Sequence, residues 1–471
     1  MVDVPRQRSH ESGFIVCRPP SLPHPARVGC HHRGLFFLAS VGEPEHVWLA
    51  LDASLGCCEG STPSIGNGSD FLFWTGPTKL QIAPISVTLF SVMTPENPFV
   101  FGEIIDDARF VDRTDELDQL VRDLADGQKV FLLSPRRFGK SSLVAVAMLK
   151  LKKRHIHTVN LTVSSYSSYA QFLEKFAEKV LRAAGPWERV KDWISRFGRQ
   201  VKPDINYNIS TGEVNVSIGK GTGFDPTPIA PDVFALPGEL TKNAGFRMAI
   251  CLDEFQQISE FDGGSVENAI RNQVQQQREV GYVFAGSQPS LMQEMLSSKR
   301  PFHKAGPQMF LDKIPAEAWR EFIKSQFRRR GRTIDDGALS ALLDTADLIP
   351  YDVQRIAHEL WDYAEITDKR ALNTSEVKSV IDKLVIGQST HYELLWEQLP
   401  ARQRATLQAL AHGGASEIYS QTVREEFRLG PASSVQKALQ SLDARDILDR
   451  YRGEYFFLDP LLPCWIRSKA A

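Results

Sequence analysis

Residues 129–142 read KVFLLSPRRFGKSS: a short apolar run, a polar turn, and the start of the helical stretch SLVAVAMLKLKKR. The turn fits the phosphate-loop pattern G-x-x-x-x-G-K-[ST], with Ser134 in place of the first glycine. Gly139 lets the backbone curl so that successive N–H groups point at phosphates, and the helix behind it adds its dipole. Lys140 is placed to meet the β/γ-phosphates as a point charge, and the Ser141 hydroxyl to ligate Mg²⁺. The candidate contacts of the loop are Ser134, Arg136, Arg137, Phe138, Gly139, Lys140, Ser141 and Ser142. Ser134 is the position of expected backbone difficulty, because glycine tolerates dihedrals there that serine resists.

Working outward, TDELDQLVRDLADG precedes the loop and sets Leu117, Leu120, Val121 and Leu124 on one helical face. Downstream, HTVNLTVS, FRMAICLDEF and GYVFAGS read as strands, with helices such as SYAQFLEKFAEKVLRAAG between them. This alternation predicts an α/β domain, a parallel sheet with helices on both faces. AICLDEF puts Asp253 and Glu254 at the carboxyl end of a buried strand, where ligands sit in such sheets. Asp253 is the candidate Mg²⁺ ligand and Glu254 the candidate residue polarising the attacking water. Ser287 or Gln288, at the end of GYVFAGSQ, is the candidate sensor of the γ-phosphate. INYNIS and EVNVSI alternate around Thr211-Gly212 as a β-hairpin insertion near 204–219. Gly219-Lys220-Gly221-Thr222-Gly223 has no helix behind it and reads as a linker.

The remaining segments divide the chain. Residues 1–92 are broken by Pro and Gly, lack a sustained period and hold four of the six cysteines without metal-ligand spacing. Regular patterning begins at Met93, so that residue is the expected start of the native protein, with a disordered tail over 1–92 as the alternative. The ATPase core is expected over 93–300, followed over 301–388 by an all-α lid of four helices. Arg328, Arg329, Arg330 and Arg332 read there as a solvated run at a helix end. Over 389–471, three helices and two strands around Arg452-Gly453 predict a winged helix. Its candidate recognition helix exposes Lys437, Gln436, Gln440 and Arg445 beside Asp443 and Asp446. That face is nearly neutral, whereas phosphate neutralisation calls for several cations, so an intramolecular or partner-docking role is favoured over DNA contact. A net charge of -2 gives no global attraction to nucleic acid or anionic lipid, and no apolar run is long enough to span a membrane. Without a signal-peptide pattern, the expected location is the cytoplasm.

The ordered series NPFVFG, FVDRTDEL, LLSPRRFGKSSL, CLDEFQQI and FAGSQPSLM, continued by LIPYDVQRIAHELW and FFLDPLLPCWIR, resembles the archaeal-type ATPases. These are prokaryotic P-loop NTPases of the AAA+/STAND group. The resemblance implies a P-loop core, a lid and a C-terminal winged helix, and it places Phe110 and Arg113 near adenine and ribose. It also implies a lid motif Gly-x-Pro-Tyr, of which Pro350-Tyr351 is retained while the glycine position is Leu348. The expected activity is ATP hydrolysis, with Lys140 and Glu254 as catalytic residues, ATP and Mg²⁺ bound, and lid and winged helix rearranging. The alternative is a nucleotide-dependent switch with little turnover. Assembly on ATP binding is compatible with either reading.

Overall fold

Lys129–Leu133 becomes a strand because four successive side chains, Val130 to Leu133, are apolar and fully buried between helices on either face. The computed structural model describes residues 97–103, 110–185, 204–208, 213–218, 225–262, 264–413 and 417–470, with four short strands before residue 97. The chain divides into Met1–Glu96 and Asn97–Ala471. In the first unit, Leu35–Leu38 pairs antiparallel with Trp48–Leu51, and Phe73–Trp74 with Leu80–Gln81. The four early cysteines, Met93 and the expected linker Gly219–Gly223 lie outside the described residues.

The second unit is built on a five-stranded parallel sheet. Its order is Gln308–Phe310, Lys129–Leu133, Val280–Gly286, Met248–Asp253, His157–Thr162. The P-loop strand and the strand ending at Asp253 are therefore separated by one strand, which delivers Gly286 and Ser287 between them. On one face, Phe131, Phe284, Phe255 and Phe302 pack with ring centroids 4.6–5.7 Å apart. Each such ring contributes roughly 1.5–3 kcal/mol on burial. On the other face, helix Thr114–Ala125 buries Leu117, Leu120, Val121 and Leu124. It ends against Gly127, where an added Cβ would lie 2.0 Å from the Arg278 carbonyl oxygen, so no other residue fits. The edge strand Gln308–Phe310 has no signature in sequence, being three residues with only Met309 inward. The hairpin of Asp204–Asn208 and Glu213–Ser217 lies against helix Tyr169–Ala184, whose Glu178 and Glu174 accept from the N–H groups of Val216 and Ile218 at 3.0 and 2.7 Å.

Four helices follow the sheet: Ala316–Arg328, Asp336–Thr345, Pro350–Ile366 and Thr374–Glu397. The last runs unbroken through 388/389 into the winged helix. There, Ala401–Gly413, Gln421–Glu426 and Ala432–Asp443 precede the wing strands Leu448–Tyr451 and Glu454–Phe457. A closing helix, Leu462–Ala470, sets Trp465 5.7 and 5.8 Å from Tyr392 and Trp396. Lid and winged helix consequently share one apolar core. Arg332 departs from the solvated reading of its run. It is 8% exposed, donates to the carbonyls of Ala364 and Lys369, and pairs with Glu365, so it ties two lid segments together. Among the described residues, no helix is long and apolar enough to cross a membrane.

Candidate functional site

The P-loop leaves its strand at Ser134, whose N–H bonds the Gly286 carbonyl at 3.3 Å and whose hydroxyl donates to Pro135 at 2.9 Å. Ser134 does not adopt a positive φ; the left-handed residues are Arg137 at φ 68° and Gly139 at φ 87°. The missing first glycine therefore imposes no strain, and the turn is made further along. Space is open where a Cβ on Gly139 would sit, which leaves room beside the first turn of helix Lys140–Lys153.

Lys140 is 6% exposed, so its ammonium must find partners within the protein. It pairs with Asp253 and, at 3.1 Å, with Glu254. The other oxygen of Glu254 accepts from Ser287 at 2.6 Å and from Gln256 at 2.7 Å. Burial alone would raise the Glu254 carboxyl. The Lys140 charge and the bonds from Ser287, Gln256 and Lys140 outweigh it and hold the group below its ordinary range. Glu254 itself stands at φ 52°, a left-handed backbone that a non-glycine residue adopts where surroundings hold it in place.

These groups line a cleft of about 800 Å³. Arg136, Arg137, Gly139, Lys140, Ser141, Ser142, Asp253, Glu254 and Ser287 are brought together around it. Ser134 and Phe138 are not, being buried behind the loop. Nor do Phe110 and Arg113 line it: Phe110 packs against the helix Thr114–Ala125 side of the sheet, and Arg113 is 4% exposed. The Arg113 guanidinium donates to the carbonyls of Phe138 at 2.9 Å and Asp312 at 2.6 Å, fastening the loop from below. The cleft is also walled by Val100, Phe101, Gly102 and Glu103 and by Pro350, Tyr351 and Gln354. Gln256 and Gln354 went unread in sequence. Each stands among other polar residues, in DEFQQIS and YDVQRIA, so only its burial sets it apart. Arg271 and Arg300, whose claim to act as an arginine finger rests on position alone, bond the Pro301 carbonyl and Glu267 respectively.

The wing covers the loop from outside. Arg136 pairs with Asp446 at 2.6 Å, and Arg137 donates to the Leu458 carbonyl at 2.8 Å. Phe138 lies 5.5 Å from Tyr451 and 6.0 Å from Phe456. Tyr451 and Arg452 both bond the Asp312 carboxylate. Arg137 also stacks 4.8 Å above the Tyr351 ring and lies 3.7 Å from Asp352.

Burial pushes the Asp352 carboxyl up to about 7, against the opposing pull of Arg137. A raised carboxyl contributes stability below its unfolded value and loses it as pH rises through the folded one. The stability gain of Asp352→Asn over the wild type should therefore grow between about pH 4 and about pH 7 and level off above. Thermal melts of both proteins across that range check it; a pH-independent difference would contradict it.

Residues 390–468 match the family model described as a probable winged helix domain. The chain is similar in structure to the Walker-type ATPase PABY2304 of Pyrococcus abyssi, with TM-score 0.53 and 16% identity over 79% of this chain and 99% of that one. It also matches the Aeropyrum pernix ORC2 protein in ADPNP–ADP complexes, with TM-score 0.48 and 10% identity over 80% and 99%. No curated protein matches the sequence. The chain has a P-loop ATPase fold, a parallel sheet with flanking helices, and carries a winged helix over residues 390–468.

Proposed function

We propose that this protein binds Mg-ATP in the cleft, hydrolyses it, and couples the nucleotide state to the position of its lid and winged helix. Lys140, now turned to Asp253 and Glu254, would exchange those carboxylates for the β/γ-phosphates, while the N-terminus of helix Lys140–Lys153 supplies backbone donors. Ser141 and Asp253, oxygen donors at the same end of the cleft, suit a hard cation held mainly by phosphate. Mg²⁺ bound there would neutralise charge developing on the phosphates. Glu254 is ionised at neutral pH and would orient the attacking water, and Ser287 stands on the strand between the two motifs, within reach of both.

The coupling rests on one observation: the three residues preceding Gly139 are all held by the winged helix. The lid shares its apolar core with the winged helix, whereas the wing meets the P-loop through ion pairs and a few rings. Movement is therefore expected between the sheet and a joined lid–winged-helix body, and not between lid and winged helix. Tyr451→Ala removes both the ring on Phe138 and the bond to Asp312. It should raise turnover and the release rate of a fluorescent ADP several-fold with little change in melting temperature. Wild-type rates in the folded variant would show the contact to be passive.

A switch with little turnover is the second reading. It is supported by the engagement of both Glu254 oxygens, which leaves the group tied down in this conformation. Under either reading the winged helix more readily offers a protein-docking face than a DNA-binding one, because Arg452 on the wing is spent on Asp312.

A further inference from the structure

The cleft is asymmetric in chemistry. Lys140, Ser141, Asp253 and Glu254 mark the phosphate end. Around Gln354, on the first turns of helix Pro350–Ile366, the lining is mostly apolar: Val100, Phe101, Pro350 and the Tyr351 ring, with Glu103 exposed at its rim. Gln354 is 1% exposed, and neither its amide nitrogen nor its amide oxygen has a hydrogen-bond partner. A carboxamide carries two donors and an acceptor with two lone pairs, and leaving all of them dry and unpaired is unfavourable. Packing gives no reason for an amide: a leucine or methionine fills similar volume without that cost.

The surroundings specify what would satisfy it. Phe101 stands 5.8 Å from Tyr351 with the rings at 90°, and Val100 and Pro350 complete apolar walls suited to a flat aromatic ligand. Segment 97–103 is anchored to the same helix: Asn97 bonds the His358 carbonyl at 3.1 Å and Asp362 at 2.8 Å, and His358 bonds the Phe99 carbonyl at 2.6 Å. Gln354 therefore stands on a wall of the cleft that segment 97–103 and helix Pro350–Ile366 build together.

We propose that Gln354 is the residue that reads the nucleobase and selects adenine over guanine. This rests on the phosphate-site reading above, which orients a nucleotide with its base at this end. Adenine presents an N6 amino donor beside the N7 acceptor, and one carboxamide satisfies both at once. Guanine presents two acceptors, O6 and N7, on that edge, so the amide oxygen would face a lone pair. The base contacts assigned by resemblance to Phe110 and Arg113 thus pass to the lid helix.

The test uses the full chain and calorimetric binding of ATP, GTP and tripolyphosphate, each with Mg²⁺. The wild type should prefer ATP over GTP by about 10-fold or more, the range of one bidentate base contact. Gln354→Leu, which removes the unpaired amide without opening a cavity, should lose that preference and keep its tripolyphosphate affinity. Gln354→Glu, an acceptor only, should lose ATP affinity by a similar factor. A folded Gln354→Leu protein with the wild-type ATP/GTP ratio, or a wild type with no base preference, overturns the assignment of Gln354 alone. A wild type that binds neither nucleotide nor tripolyphosphate overturns the phosphate site as well.

Discussion

Replacing Lys140 with alanine is expected to lower ATP affinity by at least about 100-fold while the chain still folds. Hydrogen bonds to charged groups contribute about 1.5–3 kcal/mol each, and Lys140 would make more than one to the phosphates. The structure adds a second consequence. Lys140 is nearly buried between Asp253 and Glu254, so alanine leaves two neighbouring carboxylates without their cation. Glu254, now held low, would rise. A depressed carboxyl contributes stability above its unfolded value and loses it as pH falls through the folded one. The stability lost in Lys140→Ala should therefore be greater at pH 7 than below the ordinary carboxylate value of 4.5. Calorimetric titration with Mg-ATP, paired with melts at both pH values, measures the two effects separately. Undiminished ATP affinity in a folded variant would remove the phosphate site from this loop.

Much of the site was legible because its chemistry is local. Ser134 to Ser142 is one continuous turn, and Asp253-Glu254 follows four apolar residues, so spacing and strand context were enough to bring both to one sheet edge. What spacing cannot show is which neighbour fills a position. Ser134 sits where a glycine was expected to matter, yet the dihedral demand falls on Arg137 and Gly139. Leu348 shows the reverse. It stands at φ 56°, the left-handed backbone that the glycine of the resembling motif would adopt freely, and here a half-buried leucine adopts it against the lid core.

The long-range contacts had no local signal at all. Arg137 and Leu458 are 321 residues apart, and the wing's grip on the loop follows from how the third domain folds back. The wing arginines are used within the chain: Arg452 on Asp312, and Arg450 over the Tyr455 ring at 5.2 Å. Arg113 was placed near the ribose by family pattern. Its burial sends all the described hydrogen bonds of its guanidinium to backbone carbonyls, so it shapes the loop and does not line the cleft.

Glu254→Gln is expected to keep ATP bound and slow its hydrolysis by about 100-fold or more, the usual scale of general acid–base and water-orienting contributions. The substitution is nearly isosteric, but the site is built for an acceptor on both sides. Lys140 donates to one oxygen at 3.1 Å, and Ser287 and Gln256 donate to the other at 2.6 and 2.7 Å. Whichever way the glutamine amide turns, its NH₂ faces a donor, so one side of this arrangement opens. Freed from part of its pairing, Lys140 should reach phosphate at least as well as before, which is why affinity is retained. Turnover should fall because a neutral amide cannot orient water as a carboxylate does. Single-turnover hydrolysis alongside equilibrium binding separates the two. If turnover in the folded variant equals that of the wild type, Glu254 does not act on water, and if both are negligible the engagement of its two oxygens marks a switch that reports nucleotide without consuming it.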